Sequence, residues 1–339
     1  MMSRPDFMSK QVIFIESNKK NKLRFRNSNL LLVDENNKIL LQHSCHKIFL
    51  IFVYGEFSIT SILIKKLKKF SISTIFLGYN LKPYFSILPK NRGNFLLRKK
   101  QYNNSIDFEI AKHLVENKIN NQLSLMKSMR YKTKKEKKNI KNAENNLLQV
   151  VNAKNSQDLL GIEGIGSKIF FETYFKNIEF NGRKPRCKSD IFNLLLDIGY
   201  YYLFNFIEAN LELYGFDTYC GVYHKFFFQR KSLVCDIIEP FRCIIDKRVK
   251  KMYSLKQVDE NDFGFQNAQF YLKPEFNKKY SRIFLKEILA HKEEIFLFVQ
   301  SYYRAFMRDK KISEYPKFNL IPDPIINKEG GETNVDSSL

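Results

Sequence analysis

The sequence predicts an α+β protein, a small β-rich domain at the N-terminus followed by a larger all-α domain. Three observations carry this. Up to about residue 90 the apolar residues come in short β-branched runs or alternate with charged ones, as strands require. From about residue 108 they recur with a 3.6 period, as amphipathic helices require. Between the two, LPKNRGN (88–94) is rich in turn and breaker residues, and the pattern changes there.

Taken in order, residues 1–9 read as a tail. QVIFI (11–15) is a short β-branched strand, and KLRFRN (22–27) alternates charged and apolar residues. LLLVDENNKILLQ (30–42) is two apolar runs around Asp34–Lys38, a hairpin signal. KIFLIFVYG (47–55) is a buried strand that stops at a glycine. ITSILIKKLKKF (59–70) has helical spacing with Thr60 or Ser61 as N-cap, and ISTIFLG (72–78) returns to strand. Residues 10–90 thus form the β-rich domain and 91–325 the helical one. In the latter, 108–129 has a 3.6 period, and the polar, basic 130–145 is either a solvated helix or a mobile linker. Residues 189–215 form a long helix starting at Ser189 or Asp190 and capped by Gly215. Residues 284–309 supply one or two more. The tail 326–339 has no reason to order.

Of 339 residues, 44% are hydrophobic, enough for a large core in one big domain or two medium ones. Lys and Arg total 57 against 35 Asp and Glu, a formal charge of +22. An excess that large on a folded chain calls for a polyanionic partner, with nucleic acid first and an anionic membrane surface second. Compositional drift exchanges Arg for Lys but does not explain the deficit of acids. Five cysteines without a C-x-x-C exclude a zinc ribbon or disulfide framework and fit a reducing cytosol. The N-terminal MMSRPDFMSKQVIFIES lacks the apolar run of a signal peptide. The most apolar stretch, 191–207, is broken by Asn193, Asp197, Gly199 and Asn205 and reads as a buried helix, not a membrane span. Phosphate-loop, dinucleotide-binding and nucleophile-elbow motifs are absent.

The chemistry concentrates in a few places. In SLVCDIIEPFR (232–242), Asp236, Glu239 and Arg242 share one helix face amid core-like residues. Two carboxylates there require a cation: Arg242, a metal, or both. Arg242 could also pair with Asp246 at i+4 or position a phosphate, and Pro240 predicts a kink just past Glu239. His224 lies 15 residues before Glu239; an imidazole with carboxylates suits Mg²⁺ or Mn²⁺, the latter better for nitrogen. The plainer reading is an ordinary packed or surface histidine. Glu163, in LLGIEGIGSKIFF (159–171), sits between Gly161 and Gly164, which would let the backbone pack closely on another helix. Its plainer reading is an acid in the first turn of a helix. QHSCH (42–46) reads as surface residues near a strand end, and His113 and His291 as structural or exposed. Aromatics interleave with basics in YHKFFFQR (223–230), where they could stack on bases or belong to the core. Candidate DNA contacts are Arg183, Lys225, Arg230, Arg242 and Arg248.

These motifs, in order, resemble a known family. Gly161/Glu163/Gly164, Arg183, Asp190/Asn193/Leu195/Leu196/Gly199/Tyr200, Gly221/His224, Ser232/Leu233 and Asp236/Glu239/Pro240/Phe241/Arg242 are similar to the pattern of the CRISPR-associated integrases, which insert new spacers into a CRISPR array. The resemblance spans most of the chain. It departs at Gly166-Ser167, still small, at Cys187-Lys188 in place of two prolines, and at Cys243 in place of a third. It implies metal ligands at Glu163, His224 and Glu239, with Asp236 as an accessory acid, and Mg²⁺ or Mn²⁺ as cofactor. It implies that the 3′-OH of a protospacer end attacks a phosphodiester at the leader–repeat junction, so no protein nucleophile is needed. It also implies double-stranded DNA as substrate and a homodimer held by the β-rich domain. Two such dimers would flank a dimer of a small second acquisition protein, giving four integrase and two partner chains in a prokaryotic cytoplasm, without a membrane. Two rivals stand beside it: a metal-dependent nuclease of branched or single-stranded DNA that does not integrate, and a non-enzymatic basic nucleic-acid binder.

Overall fold

The computed structural model describes residues 2–17, 21–55, 59–89, 94–104, 106–176, 178, 180, 182–224 and 228–320. The fold is α+β, with a β-rich N-terminal region and a mostly helical remainder. Within residues 1–9, read as a tail, Arg4–Met8 form a short helix, α1. Its one large buried apolar residue, Phe7, stacks on Phe296 with centroids 4.2 Å apart and meets Phe49 edge-on at 5.2 Å.

Seven strands follow: β1 (Gln11–Ser17), β2 (Lys22–Arg26), β3 (Asn29–Val33), β4 (Ile39–Ser44), β5 (Ile48–Gly55), then helix α2 (Ser61–Lys69), β6 (Ser73–Leu77) and β7 (Pro83–Ile87). They form a four-stranded sheet in the order β1-β5-β6-β7 and a three-stranded sheet β2-β3-β4. The β1–β5 and β5–β6 pairs are parallel and β6–β7 is antiparallel. The β3–β4 turn is held by Asp34, whose Oδ1 accepts from the Asn36 and Lys38 amides at 2.9 Å. Thr60 caps α2, accepting from Leu63 N at 3.2 Å. β5 is buried on both faces, which is why it reads as an unbroken apolar run. Ile51 and Val53 face a small core with α2, while Leu50, Phe52 and Tyr54 join the large core with the helices.

The helical region comprises α3 (Phe95–Tyr102), α4 (Asp107–Lys127), α5 (Lys134–Gln149), α6 (Ser156–Tyr174), α7 (Ile191–Tyr214), α8 (Ser232–Ile237), α9 (Arg242–Ser254), α10 (Asn277–Ala290) and α11 (Lys292–Met307). It is not all-α: β8 (Phe263–Gln266) and β9 (Gln269–Leu272) form a hairpin between α9 and α10. The basic stretch 130–145 is helical from Lys134 on and not a linker. Thr133 and Glu136 form a capping box, and Ile140 and Ala143 bury against the neighbouring helices. α7 runs from an Asp190 N-cap to Gly215, whose φ of +81° ends it in the left-handed region. Among the described residues no helix is long and apolar enough to cross a membrane. The 326–339 tail lies outside the described residues.

Candidate active site

α4, α6, α7, the α8–α9 junction and residues 182–186 enclose a cleft of about 1030 Å³. Glu163, His224 and Glu239 all line it. Glu163 lies two turns into α6, so it is not a first-turn acid; Asp158 takes that position. Gly161 and Gly164 do not pack on another helix, since a Cβ there would meet nothing within 4 Å. The close approach is at Gly166, where a Cβ would come 2.9 Å from Asn146 Nδ2 and 3.5 Å from Ile119. Gly161 and Gly164 thus stand open beside a largely buried Glu163, while Gly166 seats α6 against α4 and α5.

Pro240 lacks an N–H and crowds the residue before it, so regular helix cannot pass through. The chain breaks there: α8 stops at Ile237, a 3-10 turn spans Glu239–Phe241, and α9 starts at Arg242. The break thus begins before Glu239, not past it. Pro240 O is taken by Asn121 Nδ2 of α4 at 3.0 Å. A 3-10 turn eclipses i and i+3, and Arg242 Nε meets Glu239 Oε1 at 2.9 Å.

Asp236 is fully buried and surrounded by donors. Its Oδ2 accepts from the Val222 and Tyr223 amides at 2.6 and 3.1 Å, and its Oδ1 from the His224 amide at 2.9 Å. His224 Nδ1 also donates to Oδ1, at 2.6 Å. This leaves Nε2 for any further partner, the usual arrangement by which a carboxylate orients a ligating histidine. Asp236 therefore acts behind His224. Gly221 makes this wrap possible, since a Cβ there would stand 2.6 Å from Asp236 Oδ2.

The cation that Glu239 and Glu163 require is one the sequence reading missed: Lys118 of α4. Its ammonium bridges Glu163 Oε1 and Glu239 Oε2, the latter at 2.7 Å, with 9% of the side chain exposed. Burial alone would lower the Lys118 pKa, but Glu163 and Glu239 outweigh it and raise the value. Burial likewise opposes ionisation of Glu239, yet Arg242 and Lys118 hold it at about 2. Glu163 Oε2 accepts the Tyr223 hydroxyl at 2.5 Å. A lysine on the apolar stripe of α4, four residues after Leu114 and seven before Leu125, was the available signal.

The candidate DNA contacts divide. Arg242 and Arg183 lie over the Tyr200 ring, at 4.7 and 5.4 Å. Arg183 also pairs with Asp197 at 2.5 Å and donates to Asn193 at 2.9 Å. Arg242 pairs with Glu239, while Asp246 accepts the Tyr200 hydroxyl at 2.5 Å. Arg230 lines the cleft, and its buried Nε has no hydrogen-bond partner among the described residues. Arg248 does not line the cleft; it meets Gln257 at 2.5 Å and Glu287 at 3.9 Å. Lys225 lies outside the described residues.

No group of three His, Cys, Asp or Glu among the described residues is placed to hold a metal ion. The donor chemistry is nevertheless that of a hard divalent cation: two carboxylates already converge on one positive charge, beside a histidine whose orientation is fixed.

The fold and the cleft define a class: proteins with a β-rich N-terminal region and a mostly helical remainder that holds buried carboxylates and a carboxylate-oriented histidine in a cleft also lined by arginines. A family model for CRISPR associated protein Cas1 matches residues 16–286, and the chain belongs to that family. It is 29% identical over 279 residues to the CRISPR-associated endonuclease Cas1 1 of Thermodesulfovibrio yellowstonii, covering 77% of this chain and 86% of that one. Among solved structures, a chain of a Cas6-RT-Cas1–Cas2 complex matches with a TM-score of 0.80 and 18% identity, over 93% of this chain and 36% of that longer one. A casposase bound to integration product matches with a TM-score of 0.76 and 20% identity, over 91% and 94%. At such identities the structural likeness concerns the fold.

Proposed function

We propose that this chain is a Mg²⁺- or Mn²⁺-dependent DNA integrase of spacer acquisition, joining the 3′-OH of incoming protospacer DNA to a phosphodiester of a CRISPR array. The observation that carries this is the convergence of Glu163 and Glu239 on one cation beside His224, in a cleft with Arg183, Arg230 and Arg242 on its walls. Glu163, Glu239 and His224 Nε2 are the groups that would hold the ion. When bound, it would lower the pKa of the attacking hydroxyl and neutralise charge on the phosphate. The chain's own residues do the rest. Asp236 fixes the His224 ring, Tyr223 orients Glu163, and Arg242 steadies Glu239. Arg230, with a donor to spare, is the foremost phosphate contact of the cleft.

The wider assembly belongs to the same proposal. The β-rich residues 10–90 serve as the dimerisation domain and 91–325 as the catalytic one. Exposed apolar residues on β4 and β7, Ile39, Leu40, Tyr84 and Phe85, support a homodimer through that domain. The Cas6-RT-Cas1–Cas2 complex among its structural neighbours supports a partner protein; we extend this to a hexamer of four integrase and two small partner chains, working on double-stranded DNA in a prokaryotic cytoplasm.

The test is a strand-transfer assay with a protospacer mimic and a leader–repeat target. Glu163→Gln, His224→Ala and Glu239→Gln should each abolish joining with DNA binding retained. Cleavage of branched or single-stranded DNA without joining would favour the nuclease. DNA binding with neither joining nor cleavage by the wild type, and Mn²⁺ binding unaltered in His224→Ala, would leave only a nucleic-acid binder.

A further inference from the structure

α4, α6 and α9 each turn one face to the cleft, through Lys118 and Gln122, Glu163 and Ser167, and Arg242 and Asp246. Continued along the same faces, the three helices line a second depression, at Leu125, Tyr174 and Lys250. Its volume is about 680 Å³. Among the described residues that line it are Arg130, Lys132, Lys176, Lys247, Lys250 and Lys251, with a single acid, Glu136. That acid is already engaged, by Lys176 at 2.6 Å and by the Thr133 amide at 2.5 Å. Lys250 is a partly buried cation of this set. Its Nζ donates to Tyr174 O at 2.7 Å and lies 3.7 Å over the Tyr174 ring, and no carboxylate pairs with it among the described residues. Burial pushes its pKa down to about 8. Tyr131 stands at the rim, 79% exposed, where a base can stack.

We infer that this pocket is a second phosphate-binding site, separate from the catalytic cleft, which takes backbone phosphates of the DNA held by the cleft. It rests on the proposed function for its ligand and on its own geometry for its place. A surplus of cations around a partly desolvated lysine is complemented by phosphate oxygens, which accept several donors at once. From Glu163 to Tyr174 is about 16 Å along α6, or about five base pairs of duplex rise. The pocket therefore extends the footprint about five base pairs beyond the reacting phosphodiester on one side.

The test measures fluorescence-anisotropy binding of labelled duplexes over a salt titration, with the full chain. Arg130 and Lys251 are exposed, so Arg130→Glu/Lys251→Glu should keep the fold, checked by circular dichroism; Lys250→Gln probes the interior. Binding should weaken about tenfold, and the slope of log affinity against log salt should fall by about two in the double variant. The loss should vanish on duplexes too short to reach past the cleft. ATP and inorganic pyrophosphate serve as free-phosphate probes. If they bind the wild type and lose affinity in Lys250→Gln while duplex binding is unchanged, the pocket holds a small phosphorylated ligand and the inference fails. Unchanged duplex affinity and slope with no probe binding overturns it too. Strand transfer by Glu163→Gln reads the catalytic proposal separately, because that variant should keep the wild-type salt slope.

Discussion

Replacing Lys118 by methionine keeps an unbranched chain, shorter only by the terminal nitrogen, and removes its charge. Lys118 meets Glu239 Oε2 at 2.7 Å and Glu163 Oε1, with both carboxylates and the ammonium largely buried. Removing one partner of a buried pair costs about 3–5 kcal/mol. Here Glu239 keeps Arg242 at 2.9 Å and Glu163 keeps the Tyr223 hydroxyl at 2.5 Å, so the loss belongs at the lower end, ~3 kcal/mol. The variant also leaves two carboxylates facing a vacated position. Mn²⁺ should enter it and, at a hundred times its dissociation constant, return about 2.7 kcal/mol. Urea unfolding near neutral pH, in EDTA and in Mn²⁺, measures both. The wild type should respond weakly to Mn²⁺ and the variant strongly. The pH profile adds a check. The Glu239 pKa is depressed from 4.5 to about 2, so its stabilisation is complete above 4.5 and fades as pH falls toward 2. Without Lys118 that fading should begin at higher pH. A Lys118→Met chain as stable as wild type in EDTA, or indifferent to Mn²⁺, would refute the shared-charge reasoning.

Three further outcomes follow from the geometry. Gly221→Ala puts a Cβ 2.6 Å from Asp236 Oδ2 and 2.7 Å from Ser232 Cβ, so the 222–224 amides must lift away; urea unfolding should show a loss of about 1–3 kcal/mol, and ¹⁵N spectra should show His224 losing its fixed tautomer. Burial raises the Asp246 pKa from 3.8 to about 6, so its neutral form favours the fold below 3.8 and that advantage is lost as pH rises through 6. Asp246→Asn, which keeps an acceptor for Tyr200, should flatten this part of the stability profile in EDTA by up to ~3 kcal/mol. Thr133→Ala removes the capping box of α5 and should cost about 1 kcal/mol in thermal or urea unfolding.

What the sequence made legible was local. Thr60, Asp190 and Gly215 were readable as helix ends because a cap acts within one turn of its own residue. β7 was not, since it opens with Pro83 and exposes Tyr84 and Phe85, as an edge strand can. The β8–β9 hairpin turns at Asn267-Ala268, both with positive φ of 52° and 57°, where a glycine would have marked the turn. In the site, the types and spacing of Glu163, His224, Asp236 and Glu239 were visible, while the role of Asp236 needed the Val222–His224 amides that fold over it. Lys118 was hidden for another reason: both its partners come from distant helices, and a single lysine in an apolar stripe carries no local pattern.

The two carboxylates of SLVCDIIEPFR, three residues apart, are kept from burdening one another by what each faces. Asp236 meets three amides and an imidazole, and Glu239 meets an ammonium and a guanidinium. Pro240 enables this division, because the break it imposes places Glu239 on a tight turn within reach of both α4 and Arg242. In the cleft, Glu163 and Glu239 balance Lys118 and Arg242, so the protein folds with this site electrically satisfied. On the proposed function, a divalent ion added to that balance creates an excess of positive charge, and a DNA phosphate is the anion that offsets it. The same balance that stabilises the metal-free chain thus favours loading metal and substrate together.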